Sequence, residues 1–298
     1  DNWLRQRDAW AVKRSDLAVK VSFGGTPIME RASNGHISFK LVGAEVVTAT
    51  PYDHPITGYN TKTVNRLRLW EASSDNGFDL QLFNDMHYNR AVERKNSADN
   101  VSRVLYPNDS GPSGKTLRLK QQYFFTSASL QDIIAKFIRD HGTDFSKFSD
   151  FTVIQLNDTH PVVAIPELMR LLIDEHGVGW DEAWAIVTKT FAYTNHTILS
   201  EALEKWPIDI FQGLLPRVYQ IIEEINRRFV SFLRDTYPGD WKKQNRMAIM
   251  GDGVIRMAWL AIHACFSVNG VAALHTEILK NVELADWYAL YPQKFNNK

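Results

Sequence analysis

Two short apolar runs end at matching polar edges, and that pairing constrains the fold more than any other feature. Val153-Ile154-Gln155-Leu156 stops at Asn157-Asp158-Thr159-His160, and Phe191-Ala192-Tyr193 stops at Thr194-Asn195-His196-Thr197. Each reads as a strand that gives way to small polar residues and one histidine. Between them the pattern is helical. Pro166 sits where an initiating proline is tolerated, residues 167–176 run to Gly177, and residues 180–189 follow with Asp181 and Glu182 at the helix start. Strand, helix, helix, strand is the crossover that joins parallel strands. Both polar clusters then emerge at the carboxyl edge of one sheet, where open α/β folds bind ligands. Two such edges predict one shared polar site for a hydroxyl-rich ligand.

The remainder of the chain is compatible with that sheet. A 298-residue chain with 44% hydrophobic residues can build a sizeable core in one large or two modest domains. Lys plus Arg and Asp plus Glu number 34 each, which lacks the electrostatic footprint of a nucleic-acid binder. The longest apolar stretch, residues 254–274, is interrupted by Arg256, His263 and Asn269, so it reads as buried structure and not as a membrane span. Cys265 is the single cysteine; no internal disulfide is possible, which fits a reducing, cytoplasmic location.

The first third looks β-rich. Residues 17–23 alternate and end at the turn signal Gly24-Gly25, while residues 37–50 and 64–70 are further strand candidates, divided by Pro51-Tyr52-Asp53-His54-Pro55. From Leu119 helical spacing runs to Gly142, a C-cap. Residues 209–236 form a long helical stretch, bent at Pro216 and stopped by Pro238-Gly239. Residues 247–250 and 264–268 read as two last strands, each preceding a helix. With no repeat and no low-complexity linker, the chain reads as one α/β unit.

Each candidate motif carries two readings. Thr194, Asn195, His196 and Thr197 converge donors and acceptors, as a sugar requires, or they cap a helix near Ser200. Asp158 and His160 form an acid–base pair, a metal pair or an Asx-stabilised turn; no HExxH pattern or other ligand spacing supports a metal. Residues 106–114 are dense in turn formers, either a loop that gates a site or an ordinary connection. Trp180 and Trp184 read as helix-packing residues, and Arg217, Arg227, Arg228 and Arg234 as a solvated basic face.

Longer blocks narrow the reading. VLYPND (104–109), RLKQQYF (118–124), VIQLNDTHPVVAIPELMRLLIDE (153–175) and KTFAYTNHTILSEALEKWP (189–207) closely resemble the α-glucan phosphorylases. PYDHPITGY (51–59), RLRLWEA (66–72), GLLPR (213–217), EINRRF (224–229) and VNGVAALHTEILK (268–280) extend the resemblance over nearly the whole chain. It implies reversible phosphorolysis of terminal α-1,4-glucosidic bonds to glucose 1-phosphate, by a glycosyltransferase that binds a glucan (glycogen, starch or maltodextrin) and inorganic phosphate, with no nucleic-acid or membrane partner. It also implies a homodimer and two Rossmann-like domains in the glycosyltransferase-B arrangement. Residues 1–298 would then be the later part of the N-terminal domain. The start of that domain, the C-terminal domain and the lysine that holds pyridoxal 5'-phosphate would lie outside the chain, leaving it inactive alone.

By the same resemblance His196 is the catalytic residue, contacting the glucosyl unit at the cleavage point, with its backbone carbonyl favouring positive charge on the sugar. Asn195 and Thr197 match neighbouring positions, Asp158 and His160 line the cleft, and Asn108 and Asp109 match a mobile gate. Ser110 departs from the asparagine of animal members, which alters the gate's expected contacts. The alternative function is a non-catalytic glucan-binding or scaffolding module.

Overall fold

The computed structural model describes residues 8, 10–75, 77–199 and 203–297. Backbone packing divides the chain into two compact units, and not the one unit its patterning suggests: residues 1–23 with 44–132, and residues 24–43 with 133–298.

The first unit is built on antiparallel pairing. Strands β1 (Val12–Lys13) and β2 (Val19–Phe23) open it; the intervening hairpin of β3 (Thr26–Arg31) and β4 (Ile37–Val42) belongs to the second unit. Strand β5 (Glu45–Thr57) pairs with β1, β2 and β6 (Val64–Ser73). The residues expected as one strand over 37–50 are thus two strands, broken at Gly43, whose φ of 74° is the left-handed conformation that glycine adopts without strain. Pro51 and Pro55, expected to end a strand, lie inside β5. The carbonyl of Pro51 accepts from the Arg14 amide at 2.9 Å, so the Pro51 nitrogen also faces away from β6. By strand alternation Pro55 does likewise, and neither proline removes a bond from the β5–β6 ladder.

Three short helices absent from the sequence reading follow: α1 (Leu80–Asn84), α2 (Tyr88–Ala91) and α3 (Glu93–Arg103). Then α4 (Pro112–His141) starts earlier than its apolar spacing indicated, because Pro112 costs nothing in a first turn whose amides lack partners anyway. Gly142, at φ 82°, ends it with an amide bond to Ile138.

The second unit contains α5 (Phe148–Phe151), β7 (Ile154–Asn157), α6 (Ala164–Arg170), α7 (Trp180–Thr190) and β8 (Phe191–Asn195). A wider helical turn, Leu171–Glu175, prolongs α6 to Gly177 at φ 70°. Next come β9 (Lys205–Pro207), α8 (Ile208–Leu214) and α9 (Pro216–Thr236). The expected single bent helix is two helices. Leu215, at φ −132° and ψ 59°, leaves the helical region because the ring of Pro216 crowds the residue before it. In α9 the buried positions Val218, Ile221, Ile222, Ile225, Phe229 and Leu233 recur at three- and four-residue spacing, so one stripe drives its packing. Each such side chain contributes about 1.5–3 kcal/mol on burial.

The last elements are α10 (Trp241–Met247), β10 (Met250–Gly251), β11 (Val254–Arg256), α11 (Met257–Ala264), β12 (Ser267–Gly270), α12 (Ala273–Ile278), α13 (Ala285–Leu290) and β13 (Phe295–Asn297). The strand expected over 247–250 reduces to the two residues of β10, in an antiparallel ribbon with β11 and β9. The strand expected over 264–268 begins at Ser267, Ala264 being the last turn of α11.

Four strands, in the order β13-β12-β8-β7, form the parallel sheet that sets up the site. Its strands are apolar inside: Leu156, Phe191, Tyr193 and Val268 are 1% exposed or less. The all-parallel arrangement requires its connections to cross over through helices, and α6 and α7 form the first of these.

Candidate functional site

At the carboxyl ends of these strands the backbone register aligns polar residues in a row. Asn157 stands opposite Thr194, Thr194 opposite Asn269, and Asn269 opposite Asn296. Their side chains are connected: Gln155 Nε2 donates to Thr194 Oγ1 at 2.8 Å, and Thr194 Oγ1 donates to Asn269 Oδ1 at 2.9 Å. Asn269 Nδ2 donates to the Gly270 carbonyl at 2.9 Å, and Asn296 Nδ2 to Ser267 Oγ at 2.8 Å. Hydrogen bonding across three neighbouring strands gives the rim a defined shape.

The two predicted turns share this rim. The Asp158 amide donates to the Thr194 carbonyl at 2.9 Å. Asp158 adopts φ 68°, a conformation that aspartate tolerates better than most residues, and its Oδ1 accepts from the Thr159 amide at 2.6 Å. This bond reaches only the next residue, so it is not the bond to the second residue on that the Asx reading of Asp158 and His160 called for. His160 Nδ1 lies 3.8 Å from Glu204 Oε1. Among the described residues no three His, Cys, Asp or Glu side chains are grouped to hold a metal ion.

On β8, Asn195 is wholly buried. Its Nδ2 donates to the Tyr193 hydroxyl at 3.0 Å, and its Oδ1 accepts from the Thr197 amide at 3.0 Å. Burial pushes the Tyr193 hydroxyl pKa well up, so it stays a neutral partner. Asn195 therefore shapes the turn from below, while exposed His196 projects beyond the strand. The imidazole Nε2 meets Oδ1 of Asn157. Thr197 Oγ1 accepts from the Leu199 amide at 3.1 Å; the helix expected near Ser200 falls outside the described residues.

Asn108 and Asp109 belong to the first unit. Asn108 Oδ1 accepts from the Ser110 amide at 3.0 Å, and Asp109 Oδ2 accepts from Arg118 Nη1 at 2.7 Å. A Cβ on Gly114 would come within 1.8 Å of the Asn108 carbonyl oxygen, so this loop folds against the start of α4 only because residue 114 is glycine.

One cavity of about 730 Å³, with Tyr52, His54 and Trp70 in its wall, lies in the first unit. Another, of about 320 Å³, touches Glu204, Lys205, Arg246 and Trp259 in the second, and neither is lined by His196 or Asp158. The sequence reading placed Asn157 in the first polar cluster without giving it a role of its own, and it missed Asn269 as a rim residue; an asparagine closing an apolar run is the signal that marks both. It also placed Arg217 on a solvated face. The structure instead nearly buries it, with Nε and Nη2 on the Asp174 carboxylate at 2.7 and 2.9 Å and the guanidinium 3.9 Å from the Phe39 ring.

A parallel α/β sheet with a hydrogen-bonded polar row along its carboxyl edge places this chain in the α/β class, whose open sheets bind ligands at that edge. The chain belongs to the carbohydrate phosphorylase family, whose model it matches over residues 1–298. It is 48% identical over 298 residues to the glycogen phosphorylase of Bacillus subtilis, covering all of this chain and 36% of that protein. It is 47% identical over 308 residues to the muscle form of Homo sapiens, again covering 100% and 36%. To glycogen phosphorylase 2 of Dictyostelium discoideum it is 46% identical over 301 residues, covering 100% and 30%. The chain thus spans about a third of the length of these relatives.

Proposed function

We propose that this chain is the sugar-facing part of an α-glucan phosphorylase, a glycosyltransferase that releases glucose 1-phosphate from terminal α-1,4-glucosidic bonds by attack of inorganic phosphate. In this reading it is the later part of the N-terminal, Rossmann-like domain of a glycosyltransferase-B fold, and the parent enzyme is a homodimer. The observation that carries it is the shared rim: Asp158 and His160 follow one strand, His196 and Thr197 the next, and the two turns are bonded backbone to backbone. A glucosyl ring offers hydroxyls that both donate and accept, and this edge offers matching carbonyls, amides and an imidazole. The carbonyl of His196 favours positive charge developing on the sugar. Asn108 and Asp109 serve as the gate.

Pyridoxal 5'-phosphate, which the family implies, supplies a phosphate that assists the substrate phosphate. Its aldehyde needs a lysine amine. Among the described lysines, Lys294 is the one whose pKa burial lowers, to about 8. Its Nζ donates to the Ile262 and His263 carbonyls at 3.0 and 2.7 Å and sits 4.4 Å from the Tyr291 ring. An amine so engaged does not fit the cofactor.

The test is His196→Ala in a longer protein that carries this chain together with a phosphate-binding domain, assayed for glucose 1-phosphate from maltoheptaose and phosphate. The kcat is expected to fall by about a hundredfold or more, with the unfolding midpoint unchanged because His196 is exposed. The 298-residue chain alone is expected to yield no product. Near-normal kcat in the variant removes His196 from the site.

A further inference from the structure

The ring of His196 is held from the neighbouring strand. It lies one residue past the end of β8, while Asn157 is the last residue of β7, and the two strands are in parallel register. Nε2 of the imidazole faces Oδ1 of Asn157, and Nδ1 has no protein partner among the described residues. A side-chain carbonyl oxygen only accepts, so the ring nitrogen against it carries the proton. Neutral imidazole has one proton to place; with it on Nε2, Nδ1 retains its lone pair.

We propose that Asn157 is a positioning residue for His196: its side-chain oxygen takes the Nε2 proton, fixes the ring as the Nε2–H tautomer and leaves Nδ1 as an acceptor on the rim. The inference rests on the reading of His196 as a sugar-site residue. Two features make Asn157 a firm anchor. The Asp158 amide bond to the Thr194 carbonyl closes the ladder directly after it, and the strand ends there as Asp158 takes a left-handed φ of 68°. On the other side, the Thr197 amide is bound to buried Asn195, so the backbone flanking His196 is fixed and the ring's remaining freedom is its side-chain rotation. An amide partner sets the tautomer without placing a charge beside the sugar, as a carboxylate would. Acceptor geometry at Nδ1 selects a ligand hydroxyl that donates, which confers orientation on the bound ring.

The tautomer is readable in the 298-residue chain labelled with 15N-histidine. Ring nitrogens are recorded by long-range proton–nitrogen correlation at about pH 8.5, where imidazole is neutral, and His196→Gln assigns the signals. The parent chain is expected to show a protonated, pyrrole-type Nε2 and a pyridine-type Nδ1. Asn157→Asp, which keeps an acceptor, retains that pattern. Asn157→Leu, which has none, shifts both nitrogens towards the average of two tautomers; Asn157→Ala carries the same expectation should the leucine variant fail to fold. In the longer protein used above, Asn157→Leu is expected to lower kcat about ten- to hundredfold, with Asn157→Asp recovering part of the loss. A parent ring protonated at Nδ1, or ring signals indifferent to the loss of the acceptor, overturns the proposal. Because the tautomer is read without substrate, an error in the phosphorylase reading leaves it standing and abolishes only the kinetic effect.

Discussion

Thr194 Oγ1 donates to Asn269 Oδ1 at 2.9 Å, tying together strand edges 75 positions apart in the chain. The same hydroxyl accepts from Gln155 Nε2, so one small side chain links β7, β8 and β12.

Replacing Thr194 with valine keeps the shape and removes both bonds. Thr194→Val is expected to cost about 1–2 kcal/mol, since each bond contributes of order 1 kcal/mol and Gln155 can recover water. Thr194→Ser should lose less than half of that. Urea unfolding measures both; equal stabilities would show that the relay contributes nothing.

The Arg217–Asp174 pair behaves differently because it is buried. The Asp174 carboxylate also accepts from the Phe39 amide at 3.2 Å. Removing one partner strands a charge: Asp174→Leu or Arg217→Met alone is expected to cost about 3–5 kcal/mol. The double variant Asp174→Leu, Arg217→Met should recover most of that loss. Thermal unfolding of the four proteins forms the cycle, and additive losses would show the pair to be uncoupled.

His263 gives the chain an acid-sensitive contribution. It lies beside Phe229, with ring centroids 4.2 Å apart, and its Nδ1 is 3.1 Å from the Tyr291 hydroxyl. Burial first, then the charge of Lys294, drives its pKa down to about 3. The unfolded chain therefore takes up a proton below about pH 6.5 that the folded chain refuses until about pH 3. More protons on the unfolded state mean that stability falls as pH falls through this window. The groove beside Trp184 leaves the ring some solvent contact, so the loss is expected to be about 2–4 kcal/mol. His263→Phe should flatten the stability profile between pH 6.5 and 3; an unchanged slope would assign the acid limb to other groups.

The rim was legible where the chain is locally consistent. Apolar runs that break into Asn157-Asp158-Thr159-His160 and Thr194-Asn195-His196-Thr197, with helical spacing between them, specify two parallel strands and the direction in which their ends point. Legibility failed where distant partners decide. Pro51 and Pro55 look like breakers, yet the first unit leaves their nitrogens facing away from the β5–β6 ladder. Arg217 looks like surface charge, yet Asp174 and Phe39 make its burial tolerable. The strand β13 is three residues long and carries no periodicity of its own; the open edge of β12 supplies the bonds that make it a strand.

What the sequence determined alone was the set of local elements around the site and the chemistry of their ends, because helix and strand periods and turn residues act within a few positions. Which nitrogen of His196 faces Asn157, which asparagines align with Thr194, and whether the Asn195 side chain points inward were decided by the tertiary structure. Those are matters of register between strands and of burial, and both are set by groups far apart in the chain.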